Sequence, residues 1–453
     1  MRGTTLHASA FRGYIISIGQ QSGRVAMGGF LDSLWVLRYV LVSVRSSPSS
    51  PDDGSVKVKA RIYLDNSATT RVDERVIDAM VPFMRESYGN PSSIHTFGQL
   101  ARAALEDSRP PLAGLLGADT RELIFTSGGT ESDNAALWGV FRSGYRAGNH
   151  VITTKIEHPA ILATSKALQA QGAEVTQVPV DSLGRVDAYA VGAAITDRTI
   201  LISVMHANNE TGVIQPLEEI GRIARERGIL LHTDAVQSVG KVAVDVRTLG
   251  VDLLSLSAHK MHGPKGVGAL YVRKGTKLPP FVTGGSQERK RRAGTENVPG
   301  IVGLGSAASL AQERMKDMGS RVAGLRDSFE SAVQSRIDGV SINGSREHRL
   351  PTVSSISFER LEGEAAVIAL DLEGVAVSTG SACSSGSLEP SHVLTAMGLR
   401  PEVVQGSLRF SFSWHTTEDE VKEAVEILVK VVARLRSRRR PSAAQGSQQT
   451  RVS

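Results

Sequence analysis

Five short apolar or β-branched runs, Glu122–Thr126, His150–Thr154, Thr199–Val204, Gly228–Thr233 and Val251–Leu256, are separated along the chain by amphipathic segments of helix length. No other feature restricts the fold so much. Strands that alternate with helices return to one sheet through those helices, so the runs predict a mainly parallel α/β sheet with helices packed on its faces. Ligands of such sheets collect beyond the carboxyl ends of the strands, and the short polar motifs of this chain follow these runs. Composition agrees: 45 glycines against 11 Phe, 7 Tyr and 3 Trp suit a turn-rich α/β enzyme better than an aromatic-packed β-sandwich. After about residue 312 the pattern changes to a long helix, then strands near Val353–Phe358 and Gly374–Val377, then a helix from Thr417. This reads as a second, smaller α/β domain. Pro110-Pro111 falls inside a helical pattern, and because proline lacks a donor and clashes with the preceding turn, the helix is expected to end or restart there.

The ends differ from the middle. The net charge of +6 comes largely from a basic leader and from six arginines between Arg434 and Arg451, without the aromatic-rich basic surface or zinc spacing of a nucleic-acid binder. No direct nucleic-acid partner is expected. The apolar patch Phe30–Val44 is interrupted by Asp32 and Arg38 and makes a poor membrane span, so no membrane partner is expected either. Residues 1–60 resemble an organelle presequence or an upstream extension of a reading frame, and the extension is the favoured reading, with Ser46–Gly54 as a linker. A single cysteine, Cys383, excludes an intrachain disulfide framework and a cysteine-based metal cluster; a reducing, cytoplasmic setting follows, and no metal is expected.

Four motifs carry chemistry. Lys260 follows the run Val251–Leu256; at a strand mouth with apolar surroundings an amine loses hydration and becomes a candidate for Schiff-base chemistry, the alternative being a solvated loop lysine. Ser127–Asn134, with Gly128, Gly129 and Thr130, reads as a phosphate cradle at a helix start or as an ordinary capped helix. Asp234, at the end of the run before that of Lys260, is either a helix cap or the carboxylate that keeps a pyridine nitrogen protonated. With Lys260 on the aldehyde of the same ring, that is the pairing pyridoxal phosphate needs. His158 could lie over the ring or be structural, and His206–Gly212 adds a polar loop at another strand end. Cys383 lies in a Gly/Ser-rich loop, a setting for an accessible thiol rather than a buried hydrophobe.

Taken in order, Tyr63–Thr70, Gly89–Ser93, the Ser127 cradle, the Asp234 and Lys260 segments, Arg292–Asn297 and the Cys383 loop resemble the cysteine desulfurases over roughly residues 61–432. The long cysteine loop followed by Leu388–His392 is closer to the NifS and IscS class than to the SufS class. The resemblance implies a fold-type I pyridoxal phosphate transferase with a seven-stranded, mainly parallel sheet, acting as a homodimer on L-cysteine. It implies an N-terminal segment at 61–74 joining the small domain, a large cofactor-binding domain at 75–311 and a small domain at 312–432, while composition sets apart a leader or extension at 1–60, expected to be disordered, and a disordered basic tail at 433–453. Lys260 would hold the cofactor aldehyde, Asp234 the ring nitrogen and Gln237 the ring hydroxyl, with His158 stacked on the ring. Gly129, Thr130, Ser257 and His259 would hold the phosphate, joined by Thr295 of the partner subunit. Asn208 and Arg409 would take the substrate carboxylate. Cys383 would accept the sulfur as a persulfide and pass it to an acceptor such as an iron–sulfur scaffold or a thiolation pathway. Ser413 stands where the family usually has glycine. A selenocysteine lyase or cystine C–S lyase would share Lys260 and Asp234 without needing Cys383, and a silent dimeric scaffold would need neither.

Overall fold

The computed structural model describes residues 61–379 and 390–438. After a short strand β1 (Ile62–Tyr63) come β2 (Leu123–Thr126), β3 (His150–Thr154), β4 (Glu174–Val178), β5 (Thr199–Ser203), β6 (Leu230–Asp234), β7 (Leu253–Ser257) and β8 (Gly268–Val272). Strands β2 to β8 form one seven-stranded sheet in the order β2-β8-β7-β6-β5-β3-β4. All neighbours are parallel except β8, which runs antiparallel to both β2 and β7. Strands β2, β3, β5, β6 and β7 therefore point the same way, and the segments that follow them open on one edge of the sheet.

Helices cover both faces, so most strands are buried along their whole length and read as continuous apolar runs. Alternate residues of one strand serve different cores: Ile152, Ile202 and Leu254 pack on one face, Val151, Leu201 and Leu253 on the other. Two strands were not foreseen. β4 is the sheet edge and is largely unburied, which gives it a polar sequence, and β8 begins on a glycine.

A second sheet holds β9 (Val340–Ile342), β10 (Val353–Phe358), β12 (Ser378–Thr379) and β13 (Ser407–Ser411) in the order β12-β13-β10-β9, while β11 (Val375–Ala376) pairs in parallel with β1. Its core contains Phe329, Phe358, Phe410 and Phe412, together with Ile62 and Leu64 from the start of the chain. The change from one core to the other happens inside a continuous helical run. Ala311 belongs to the first core and Met318 to the second, and between the helices Val298–Asp317 and Ala323–Arg336 the backbone forms a π-turn, Met318–Val322.

The proline pair acts as expected: one helix ends at Asp107 and the next, Arg109–Leu116, carries Pro110 and Pro111 in its first turn, where amide partners are missing in any helix. The last helix departs from expectation. It continues past 432 to Arg438, because Arg434 pairs with Glu373 and Arg436 donates to the carbonyls of Glu359 and Asp338. Among the described residues, no helix is long and apolar enough to cross a membrane.

Candidate active site

Beyond the carboxyl ends of β2, β3, β5, β6 and β7 lies a cavity of about 260 Å³. Lys260 sits at its edge in the 3₁₀ turn Ala258–Lys260 that ends β7, and its Nζ donates to the carbonyl oxygens of Ser67 and Ala68 at 2.6 and 2.7 Å. Those carbonyls belong to the segment after β1. Thr70 ties it down, donating to the His259 carbonyl and accepting from the amide of His262. The lysine is thus half-buried and held by neutral acceptors.

The helix Gly129–Ser143 starts at the cavity. Its N-cap is Gly128, which offers no side chain to cap the helix, so the capped-helix reading is set aside and the free amide end faces the cavity wall. A Cβ at Gly129 would come within 2.6 Å of Val236, so only glycine lets the backbone approach this closely. Thr130, Ser257 and His259 line the same wall. Burial, together with the charges of Lys260 and Lys265, brings the His259 imidazole down to about 4, which leaves it neutral at pH 7. The one acid of the helix's first turn is diverted. Burial alone would raise the Glu131 carboxyl, but hydrogen bonds from Arg292 and Ser127 hold it below its usual value and keep its charge paired. A helix N-terminus lined with hydroxyls and a neutral imidazole, with its own carboxylate neutralised, fits a phosphate.

Across the cavity, Asp234 at the end of β6 is buried, and its Oδ1 accepts from the Val236 amide at 2.9 Å, a capping contact made alongside its cavity position. Donor atoms of Asp133, His158 and Asp234 lie within 4.8 Å of one another. Burial raises the Asp234 carboxyl, and the His158 and Lys260 charges oppose that rise. The Asp133 carboxyl is pushed well up by its complete burial and by the charge of Asp234, and burial takes Glu157 up to about 8. Of the three buried acids, Asp234 is the one whose rise neighbouring groups, His158 first and then Lys260, work against. His158 caps the helix Pro159–Gln169, its Nδ1 accepting from Ala160, so its proton is on Nε2. It is both structural and part of the cavity wall.

Gln237 lines the cavity as expected, but Asn208 does not. Asn208 is fully buried with its oxygen accepting from the amides of Glu210 and Thr211 and its nitrogen donating to the Ile156 carbonyl. This amide-closed turn uses up its side chain, and the place on the wall goes to the adjacent Asn209. Arg409, on β13, stands behind that wall: Nη1 donates to the Asn209 carbonyl and Nη2 to Asp65, both at 2.9 Å, while its buried Nε has no hydrogen-bond acceptor among the described residues. Thr295 is exposed in the loop before the helix Val298–Asp317, off its own chain's cavity. Cys383 lies outside the described residues, but the residues flanking that segment are at the site. Ser378 pairs with Arg409 across β12 and β13. At the other end, Ser391 donates to Glu210, and His392 Nε2 meets the Glu157 carbonyl at 3.0 Å. The reading from sequence overlooked Ser67, Ala68, Asp133, Met205, Ala207, Asn209 and Val236, which complete the wall. Ser67, Ala68, Asp133 and Asn209 lay inside quoted motifs, without a local signal to single them out.

Residues 62–424 match the aminotransferase class-V family. The chain is 50% identical over 380 residues to the cysteine desulfurase IscS of Dictyoglomus turgidum, covering 84% of this chain and 96% of that protein. A solved structure described as a NifS-like protein superimposes with a TM-score of 0.78 at 40% identity, covering 82% of this chain and 99% of the other. Another, SspA in complex with cysteine, gives a TM-score of 0.69 at 37% identity over 77% of this chain and 98% of its own.

Proposed function

The chain belongs to the class-V aminotransferase family and is a cysteine desulfurase of the NifS/IscS class with the fold-type I architecture, and from that premise we propose how its own residues divide the work. The observation that carries the assignment is the convergence of Lys260, Asp234 and the Gly129 cradle on one cavity at the strand ends. Their separation into an amine, a buried carboxylate and an anion site matches the three ends of pyridoxal 5′-phosphate. When bound, that cofactor supplies an aldehyde for the substrate amine and a protonated ring that draws electrons from the α-carbon.

The Gly129 and Thr130 end of the helix, with Ser257 and His259, holds the phosphate, helped by Thr295 of the partner subunit. Asp234 would hold the proton of the ring nitrogen, and His158, on the same cavity wall, would pack against the ring. Lys260 would anchor the cofactor through its amine, and the same amine, at the cavity edge, would move the Cα proton of the substrate. L-Cysteine as substrate is supported by the family and by the neighbour solved in complex with cysteine. Its carboxylate is taken by Arg409 together with Asn209, at the cost of the contact between Arg409 and Asp65, since a guanidinium fork suits a carboxylate. The thiolate of Cys383 attacks the substrate sulfur. The Cβ–S bond breaks with its electron pair left on carbon, an S–S bond to Cys383 forms, and protonation completes L-alanine. The persulfide goes to an acceptor protein such as an iron–sulfur scaffold or a thiolation pathway.

A homodimer is supported by an exposed apolar surface around the helix Thr96–Asp107, where Tyr88, Ile94, Phe97 and Leu100 are 69%, 91%, 49% and 52% exposed. The lone cysteine supports a cytoplasmic setting. The assignment is tested with purified protein. A visible absorption band that shifts on adding L-cysteine, with alanine released, is the expected result. Lys260→Ala should abolish turnover while leaving a folded protein that retains the cofactor non-covalently. Full activity of that variant would remove the central assignment.

A further inference from the structure

Lys241 is 5% exposed, yet it neither lines the cavity nor pairs with a carboxylate among the described residues. Its Nζ donates to Gln237 Oε1 at 3.0 Å. On the other side of the same amide, Gln237 Nε2 donates to the Ser67 carbonyl at 3.0 Å, the carbonyl that also accepts from Lys260. An ammonium only donates and a carbonyl only accepts, so an amide held between the two has one orientation. Turning it over would set its NH₂ against the ammonium and its oxygen against the carbonyl, losing both hydrogen bonds in a buried site. The lysine, acting from the oxygen end, thus joins the Ser67 carbonyl in deciding which end of Gln237 faces the Ser67 side of the cavity.

We propose that Lys241 is a positioning residue: it locks the Gln237 amide with its nitrogen toward the cavity, so that the ring oxygen of the bound cofactor meets a hydrogen-bond donor and not an acceptor. This rests on the pyridoxal phosphate reading above. A buried lysine needs a reason, because burying an ammonium is costly unless a partner accepts from it. Burial, with the charges of Lys260 and Arg409 nearby, brings its amine down to about 7, so an acceptor at Nζ is needed to hold the proton at neutral pH. Methionine would fill the same space without that cost, which makes it the informative replacement.

The test is a spectrophotometric pH titration of the holoenzyme, which reads the environment of the ring without turnover. A ring oxygen that loses a donor holds its shared proton more tightly, so Lys241→Met is expected to raise the midpoint of the visible band by about one pH unit or more. Gln237→Leu should raise it likewise, and the double variant should go no further than Gln237→Leu alone, because the lysine acts through the glutamine. Lys241→Gln, which keeps a donor at the end of the side chain, should stay nearer to wild type and serves if Lys241→Met does not fold. A wild-type midpoint in Lys241→Met, a full loss of the effect of position in which Lys241→Gln shifts as much as Gln237→Leu, or additive shifts in the double variant would each overturn the proposal. A wild-type protein that gains no visible band from pyridoxal 5′-phosphate would instead overturn the cofactor reading beneath it.

Discussion

The roles assigned to single residues differ in what their loss should do. Cys383→Ala removes one sulfur atom from a Gly/Ser-rich stretch, so the melting temperature should hardly change. Turnover should nevertheless fall by about 100-fold or more, since thiols in solution lack the effective concentration of a tethered one. Single-turnover alanine release checks this, and a variant as fast as wild type would make the cysteine a bystander. Glu157 gives a prediction about pH. Its Oε1 accepts from Thr154 and the Met205 amide, its Oε2 has no partner among the described residues, and burial takes it from 4.5 to about 8. Between those values the folded state binds a proton that the unfolded state has released, so this group costs stability as pH rises from about 4.5 through 8. Glu157→Gln mimics the protonated acid and should lose that dependence, gaining at least about 1 kcal/mol on wild type at high pH relative to low. Denaturant melts at the two pH values would show it; parallel curves would not fit. Lys260, Asp234 and the cradle were legible because each residue type has few reasons to follow a buried strand. The choice between Asn208 and Asn209 was not. Two identical neighbours differ only in which one the turn consumes, and that depends on backbone geometry that local sequence leaves open.

At the level of elements, the strands that were legible were those buried on both faces, whose uninterrupted apolar runs stand out. β4 and β13 were not singled out for opposite reasons. β4 is an edge with polar positions, whereas β13, Ser407–Ser411, has a serine at each end of Leu408, Arg409 and Phe410, and its serines are buried with hydrogen bonds such as that between Ser407 and Ser357. The end of the last helix was misjudged because its arginines look like a solvated tail until their backbone carbonyl acceptors are seen. The segment after the cysteine loop carries its own prediction. Ser391 caps the short helix His392–Ala396 and also donates to Glu210, which follows Asn209 on the cavity wall. Ser391→Ala should leave the cofactor spectrum and its response to L-cysteine unchanged but slow alanine release several-fold, because the contact holds one flank of the loop and not the ring. An altered cofactor spectrum would move the role of this contact into the cofactor site.

For the whole molecule, every residue of the cavity falls within the compact unit Val58–Ser453, and the two cores of that unit are spanned by one helical run. A chain beginning near Lys57 should therefore keep full activity, measured as alanine release per folded protein; loss of soluble protein would show that the leader contributes to the fold. The two-core plan was visible in the sequence as a change of pattern near residue 312, close to where the helical run passes from Ala311 of the first core to Met318 of the second, but the π-turn between its two helices was not. The pairing of β12 with β13 has a consequence for delivery. Thr379 is fixed opposite Leu408, next to Arg409, and Cys383 follows it by only four residues. Four residues span at most roughly 14 Å however they run, so the thiol proposed to carry the sulfur is on a short leash staked beside the arginine proposed to take the substrate carboxylate. Under the proposed sulfur transfer, an acceptor would have to bring its receiving group to the rim of the cavity, and its docking face would be confined to the protein surface within one leash-length of that stake.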